Sequence, residues 1–157
     1  MRSPVLPAPA GVARWRRLLD TADPALEGTV TEQGVRLAPH ALVLLAEAAD
    51  GSGLLACCHL QQQGGLCYFG MFSVRPTQQG TGLGKQMMAE AERIARENWR
   101  CTHMQMTVID IRDELLGFYG RRGYVRTGVH KPFPYGDERF GIPLRADLRF
   151  EVLEKPL

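Results

Sequence analysis

Three alternate glycines, Gly80, Gly82 and Gly84, stand between an apolar run, Leu66 to Val74, and a segment with one apolar face, Gly82 to Asn98. A glycine inside a helix costs about 1 kcal/mol relative to alanine, so three at one helix start call for an offsetting gain. A loop bare of side chains ahead of a helix lets several backbone N–H groups approach one anion, and the helix dipole favours the negative charge. Two familiar phosphate loops fail on spacing. A P-loop needs glycine five residues before the Gly-Lys pair and Ser or Thr after it, where this chain has Gln79 and Gln86. The dinucleotide fingerprint needs a third glycine where Lys85 stands.

The surrounding pattern predicts an α/β fold. Ala41 to Ala48, Leu54 to Gln62 and Leu66 to Val74 are apolar runs joined by Asp50-Gly51-Ser52-Gly53 and Gly64-Gly65, which reads as an antiparallel meander. Leu83, Met87, Ala91, Ile94 and Ala95 give the following helix its apolar face. Cys101 to Ile109 is apolar enough for a central strand, and Ile111 to Arg122 reads as a second helix. That helix has Asp113 and Glu114 in its first turn, Arg121 and Arg122 in its last and Gly123 as a C-cap. Tyr124 to Thr127 is a strand, Lys131 to Pro143 a loop and Leu148 to Val152 a final strand. At the start, Trp15, Leu18 and Leu19 suggest a helix over Val12 to Asp20 with Arg14, Arg16 and Arg17 on its solvated face. Residues 1–10 read as a flexible Pro/Ala arm, Asp23-Pro24 as a break, and the stretch to Pro39 has no clear assignment. Residues 11–157 are expected to form a single domain, with neither internal repeats nor a linker.

Composition narrows the function classes. The chain has 157 residues, 45% of them hydrophobic, and a formal charge of +2, which suits a domain with its own core and gives no support to a nucleic-acid binder. No apolar stretch approaches a membrane span, and the first ten residues lack the continuous apolar run of a secretory signal. Cys57, Cys58, Cys67 and Cys101 have neither a C-x-x-C spacing nor a zinc pattern, so reduced thiols in the cytoplasm and no metal are expected.

Gln79-Gly80-Thr81-Gly82-Leu83-Gly84 resembles motif A of the GNAT superfamily of N-acetyltransferases, Q/R-x-x-G-x-G/A, and Val74-Arg75-Pro76 before it with Lys85-Gln86-Met87-Met88 after it extend the likeness. Phe118-Tyr119-Gly120-Arg121-Arg122-Gly123-Tyr124 is similar to the family's motif B. The resemblance is strong from Ala41 to Thr127, and Ile109 to Leu153 resembles a bacterial and fungal branch with an R-x-E-L-x-x-F/W-Y-x-R-R-G-Y segment and a later Pro-Phe-Pro. It implies a mixed, mostly antiparallel sheet flanked by helices, with a strand splay holding acetyl-CoA. It also implies transfer of acetyl from acetyl-CoA to a primary amine, of a small molecule, by direct attack in a ternary complex. The rival reading is a non-catalytic acyl-CoA-binding module, a sensor or partner protein. Homodimerism enters only as a habit of the family.

The resemblance also implies roles. The pyrophosphate would sit on backbone N–H groups of Gln79, Gly80, Thr81, Gly82, Leu83, Gly84 and Lys85, with Arg75 and Lys85 as cationic partners. Backbone groups around Phe72 and Val74 would pair with the pantetheine arm, and one N–H could polarise the thioester carbonyl. Tyr119 takes the place of the acid that protonates the leaving thiolate. Arg112 stands where many members carry Asn; it could bind a phosphate or an acidic substrate, or pair with Asp110 or Glu114. Asp110 is the first candidate for the general base, with Glu47, His59 and His103 behind it. Lys131 to Phe140, with its aromatics, Asp137 and Glu138, would either flank a cationic acceptor or form an ordered loop packed over the sheet or at a dimer contact, and the Glu27 to Pro39 stretch also bears on the acceptor. The acceptor itself, and whether the family's first strand is present, stay open.

Overall fold

The computed structural model describes residues 12–18, 41–51, 53–138 and 141–157. The expected arm at 1–10, the unassigned stretch to Pro39 and the last two residues of the Lys131 to Phe140 loop lie outside these. Two compact units are present: the chain up to Met104 together with Leu157, and Gln105–Pro156.

The first unit is built on the meander. β1 (Val12–Leu18), β2 (Ala41–Ala48), β3 (Leu54–Gln63) and β4 (Leu66–Val74) lie side by side in that order, each antiparallel to the next. β2 is apolar almost throughout, the pattern of a strand covered on both faces, and Ala41, Leu42, Leu44, Leu45 and Ala46 are buried. β3 alternates more, burying Leu55, Ala56, Cys58 and Leu60. The segment expected as a helix at Val12 is instead β1, with Trp15 opposite Ala46 and Leu18 opposite Val43. A row of backbone partners along β2 outweighs a helical spacing carried by three apolar residues. The chain therefore does have an outer strand ahead of β2.

After β4 a short 3₁₀ turn (Pro76–Gln78) leads to α1 (Leu83–Arg93), which continues as a π-helical turn over Ile94–Asn98. Together they fill the span expected from the apolar face. Leu83, Met87, Ala91, Ile94 and Ala95 are all buried, and the helix packs on β3 and β4. The turn closes with the Trp99 N–H donating to the Ile94 carbonyl at 3.2 Å, five residues back, and the Gln62 side chain donates to the Trp99 carbonyl at 3.3 Å. Met87 is fully buried on this face, so Met87→Ala should cost about 2–5 kcal/mol, read as a lower urea midpoint with an unchanged slope.

β5 (His103–Ile109) runs from the first unit into the second, which adds α2 (Asp113–Arg121), β6 (Val125–Pro132) and β7 (Arg149–Pro156). β7 lies between β5 and β6, and β6 pairs with it antiparallel. β6 is longer than the sequence suggested and takes in Lys131 and Pro132. It does so across a bulge between Arg126 and His130, where the Thr127 hydroxyl donates to the Val152 carbonyl and accepts from the Val129 N–H. The α/β class with mostly antiparallel strands and two helices is as expected. Among the described residues no helix is long and apolar enough to cross a membrane.

Candidate active site

In the first unit the glycine loop makes the start of α1. Gly82 is its N-cap in the left-handed region, φ 87°, and Gly80 is left-handed too, at φ 81°. A side chain at either would strain the backbone, and a Cβ there would point into open space. The first bond of the helical ladder joins the Gln86 N–H to the Gly82 carbonyl at 3.1 Å. The N–H groups of Leu83, Gly84 and Lys85 therefore precede the ladder. No side chain caps this end, and the first turn holds no acidic residue. A bare, uncapped and acid-free helix start fits an anion.

The neighbouring polar groups shape the loop. The Gln79 and Thr81 N–H groups close turns onto the Pro76 and Gln78 carbonyls, both at 3.3 Å. The Thr81 hydroxyl donates to the Gln78 carbonyl at 2.6 Å, and the Gln79 side chain donates to the Val74 carbonyl at 3.2 Å. The Leu83 side chain is buried in the core, which leaves its backbone as the part that can meet a ligand. Lys85 is exposed and Arg75 half-buried.

β4 is irregular just before this loop. Cys57 pairs with Ser73 but His59 with Gly70, so one residue too many lies on β4, and Met71 takes φ 51° and is 73% exposed. A non-glycine residue there costs of order 1–3 kcal/mol and marks functional strands often. The bulge adjoins Phe72, whose ring leans on Phe69 at 5.3 Å. It re-aims backbone groups at the strand end where the pantetheine arm was expected.

In the second unit Tyr119 lies in the last turn of α2. The Tyr124 N–H donates to the Tyr119 carbonyl and the Gly123 N–H to the Gly120 carbonyl, a Schellman cap that needs Gly123 at its φ of 96°. The cap sets the Tyr119 ring edge-on to Tyr124 at 6.2 Å and to Phe118 at 5.4 Å. Tyr119 is 7% exposed, and its hydroxyl has no hydrogen-bond partner among the described residues. Burial pushes the phenol above its ordinary value, while the Arg112 charge pulls it the other way. Arg112, the N-cap of α2, makes no ion pair among the described residues, so neither Asp110 nor Glu114 holds it.

Asp110 is less available than the sequence suggested. Its Oδ2 accepts from Arg149 Nε at 2.6 Å and lies 3.8 Å from His130 Nε2. The other base candidates sit in the first unit. Burial pushes His59 below its ordinary value, His103 shares a 2.9 Å contact with the Thr102 hydroxyl, and Glu47 is half-buried in β2. The Lys131 to Phe140 loop packs part of itself against the strands, the second of its two readings. Phe133 is buried between Tyr135 and Phe150, and the Tyr135 hydroxyl donates to the Arg145 carbonyl and accepts from the Leu148 N–H, each at 2.8 Å. Those two aromatics secure the loop. His130, Arg126, Arg149 and Glu151 were missed, although Arg149 and Glu151 at alternate positions of a strand share a face.

All four cysteines are unpaired, and burial holds each thiol above its ordinary value, Cys67 at about 12. None is poised as a thiolate nucleophile. Among the described residues no group of three or more His, Cys, Asp or Glu could hold a metal ion.

Comparison with known proteins agrees with this picture. The model of the Acetyltransferase (GNAT) family matches residues 13–124. A search of curated proteins found no match. Among solved structures, IAA acetyltransferase from Bacillus cereus ATCC 14579 superposes with a TM-score of 0.69 at 16% identity, covering 92% of this chain and 99% of that one. Nourseothricin acetyltransferase gives 0.62 at 20% identity, covering 77% and 69%. A GNAT family acetyltransferase from Elizabethkingia anophelis with acetyl-CoA bound gives 0.62 at 14% identity, covering 74% and 76%. With more than half of its length matched by the family model, and the glycine loop and Tyr119 inside the match, the chain belongs to the GNAT acetyltransferase family.

Proposed function

We propose that the chain transfers acetyl from acetyl-CoA to a primary amine of a small molecule, by direct attack in a ternary complex. The observation that carries this is the start of α1: two left-handed glycines, no cap, no acid, and three N–H groups ahead of the ladder. The structure bound to acetyl-CoA and the neighbour named for nourseothricin support the co-substrate and the small acceptor.

Bound acetyl-CoA would supply an activated acyl thioester. Leu83, Gly84 and Lys85 would hold its pyrophosphate through their N–H groups, with Lys85 and Arg75 adding charge. Backbone groups from Phe72 to Val74, turned by the bulge, would orient the pantetheine arm and polarise the acyl carbonyl. Tyr119 would hold a proton at its hydroxyl for the departing sulfur, with Arg112 offsetting charge on the phenol. Asp110 serves the amine's side through its surroundings, since Arg149 already engages it. With every thiol held protonated, direct transfer to the amine is favoured over an acyl-cysteine route. Unpaired cysteines suit a reducing compartment, the cytoplasm.

Calorimetry with acetyl-CoA, run beside a CoA-release assay over a panel of small amines, tests this reading. Binding with turnover is expected. Binding without turnover on any amine would favour the non-catalytic acyl-CoA module, and no binding would reject both.

A further inference from the structure

Five ionisable side chains meet in the second unit around one imidazole. His130 in β6 stands directly opposite Glu151 in β7. Its Nε2 lies 3.3 Å from Glu151 Oε1 and 3.8 Å from Asp110 Oδ2. Each carboxylate has a guanidinium on its other side: Arg126 donates to both oxygens of Glu151 at 2.7 and 3.0 Å, and Arg149 donates to Asp110 at 2.6 Å. Arg126 holds the Glu151 carboxyl below its ordinary range. Asp113, at the start of α2, adds its charge to Arg126 and completes the ionic surroundings.

This arrangement fixes the ring. The same nitrogen faces both carboxylates, an arrangement that favours the tautomer with the hydrogen on Nε2 and the lone pair on Nδ1. Nδ1 has no partner among the described residues, and the side chain is 30% exposed while those of Asp110 and Glu151 are 11% and 3% exposed. A buried carboxylate that sets the tautomer of a reachable imidazole is the usual construction of a histidine base.

We propose that Nδ1 of His130 accepts the proton of the acceptor ammonium, with Glu151 and Asp110 as positioning residues; this rests on the amine acetylation proposed above. The N–H bond of the bound ammonium breaks, its electron pair stays on nitrogen as the attacking lone pair, and the proton becomes the Nδ1–H of an imidazolium. A second proton from the nitrogen goes, by way of the Tyr119 hydroxyl, to the departing sulfur, and the amide keeps the third. The imidazolium returns its proton to water after the product leaves.

The test compares kcat/KM of wild type and His130→Gln between pH 6 and pH 10 on an amine that the wild type acetylates, with acetyl-CoA affinity measured alongside. The expected deficit is about 10²-fold near pH 7. It should shrink by about tenfold per pH unit as solution supplies the free amine, whose pKa lies near 10. A residue needed only for structure would give a ratio independent of pH. His130→Ala should regain activity with added imidazole and retain its acetyl-CoA affinity. A variant profile parallel to the wild type at every pH, or no response to imidazole, overturns the base assignment and leaves amine acetylation standing. A wild type that acetylates no amine overturns the proposed function itself, and the base with it.

Discussion

Tyr119→Phe is expected to lower kcat about 10²–10⁴-fold, the range a positioned acid contributes, with little change in acetyl-CoA affinity or in stability. The substitution is clean for a structural reason. Phenylalanine keeps the ring contacts with Phe118 and Tyr124, and the hydroxyl it removes leaves no partner orphaned among the described residues. A stability loss beyond a few tenths of a kcal/mol would therefore contradict the geometry. The pH dependence follows from the sign of the shift. Burial raises the phenol above 10.0, so at neutral pH it keeps its proton and can donate it. Any alkaline limb caused by its ionisation lies above pH 10, and the deficit of the phenylalanine variant should stay constant across pH 7–9. Outright transfer from so weak an acid to a thiolate of pKa about 8.5 is uphill on isolated values. Arg112 offsets part of that cost because its charge favours the phenolate. Near-normal kcat in Tyr119→Phe would remove the acid role and leave Tyr119 as packing.

How far the site was legible depended on whether a residue's partners were local. The glycine loop, α1, α2 and the Gly123 cap were readable because each is fixed within a few residues, by conformation, apolar spacing or charge order. β4 was bounded correctly for the same reason, lying between a Gly-Gly turn and Arg75-Pro76. The errors come from pairing. Val12–Leu18 is a strand because β2 lies beside it, and nothing in seven residues announces that neighbour. In β6, the sequence pattern ends the strand at Thr127 and opens a loop at Lys131, whereas the structure carries the strand on to Pro132 and absorbs Gly128, at φ 78°, in a bulge. That misreading hid His130. Its partner Glu151 is set by a register that slips across the bulge, and the third member, Asp110, comes from the turn after β5. Asp110 was found as a base candidate from its place at a strand end, but Arg149, which occupies it, is thirty-nine residues away. The loop at Phe133 could not be decided locally: aromatics beside acids suit an exposed binding surface or a packed loop alike, and it is Phe150, in β7, that buries one of them.

Gly82→Asp should separate folding from ligand binding at the glycine loop more sharply than any other substitution there. Asp and Asn tolerate left-handed backbone better than other residues with a side chain, and the added Cβ meets nothing within 4 Å. At the N-cap of α1 a carboxylate can also accept from the unpaired N–H groups of the first turn, which offsets much of the backbone strain. Stability should therefore stay within about 1 kcal/mol of the wild type. Acetyl-CoA binding should not survive so well, because the carboxylate would take the anion's own place. One negative charge held about 5 Å from another costs about 3 kcal/mol at an effective dielectric of 20, equivalent to a loss of about 10²-fold in affinity. Gly82→Asn is the control: it has nearly the same shape and the same left-handed tolerance but no charge, and it should lose about tenfold at most. The gap between the two variants should narrow as salt rises, since the loop is exposed. Calorimetric titrations at two ionic strengths, beside thermal unfolding of each variant, give all four quantities. Equal affinities for the Asp and Asn variants would mean that the pyrophosphate does not lie at this helix start. Its anchor would then have to be sought among side-chain cations such as Arg75 and Lys85.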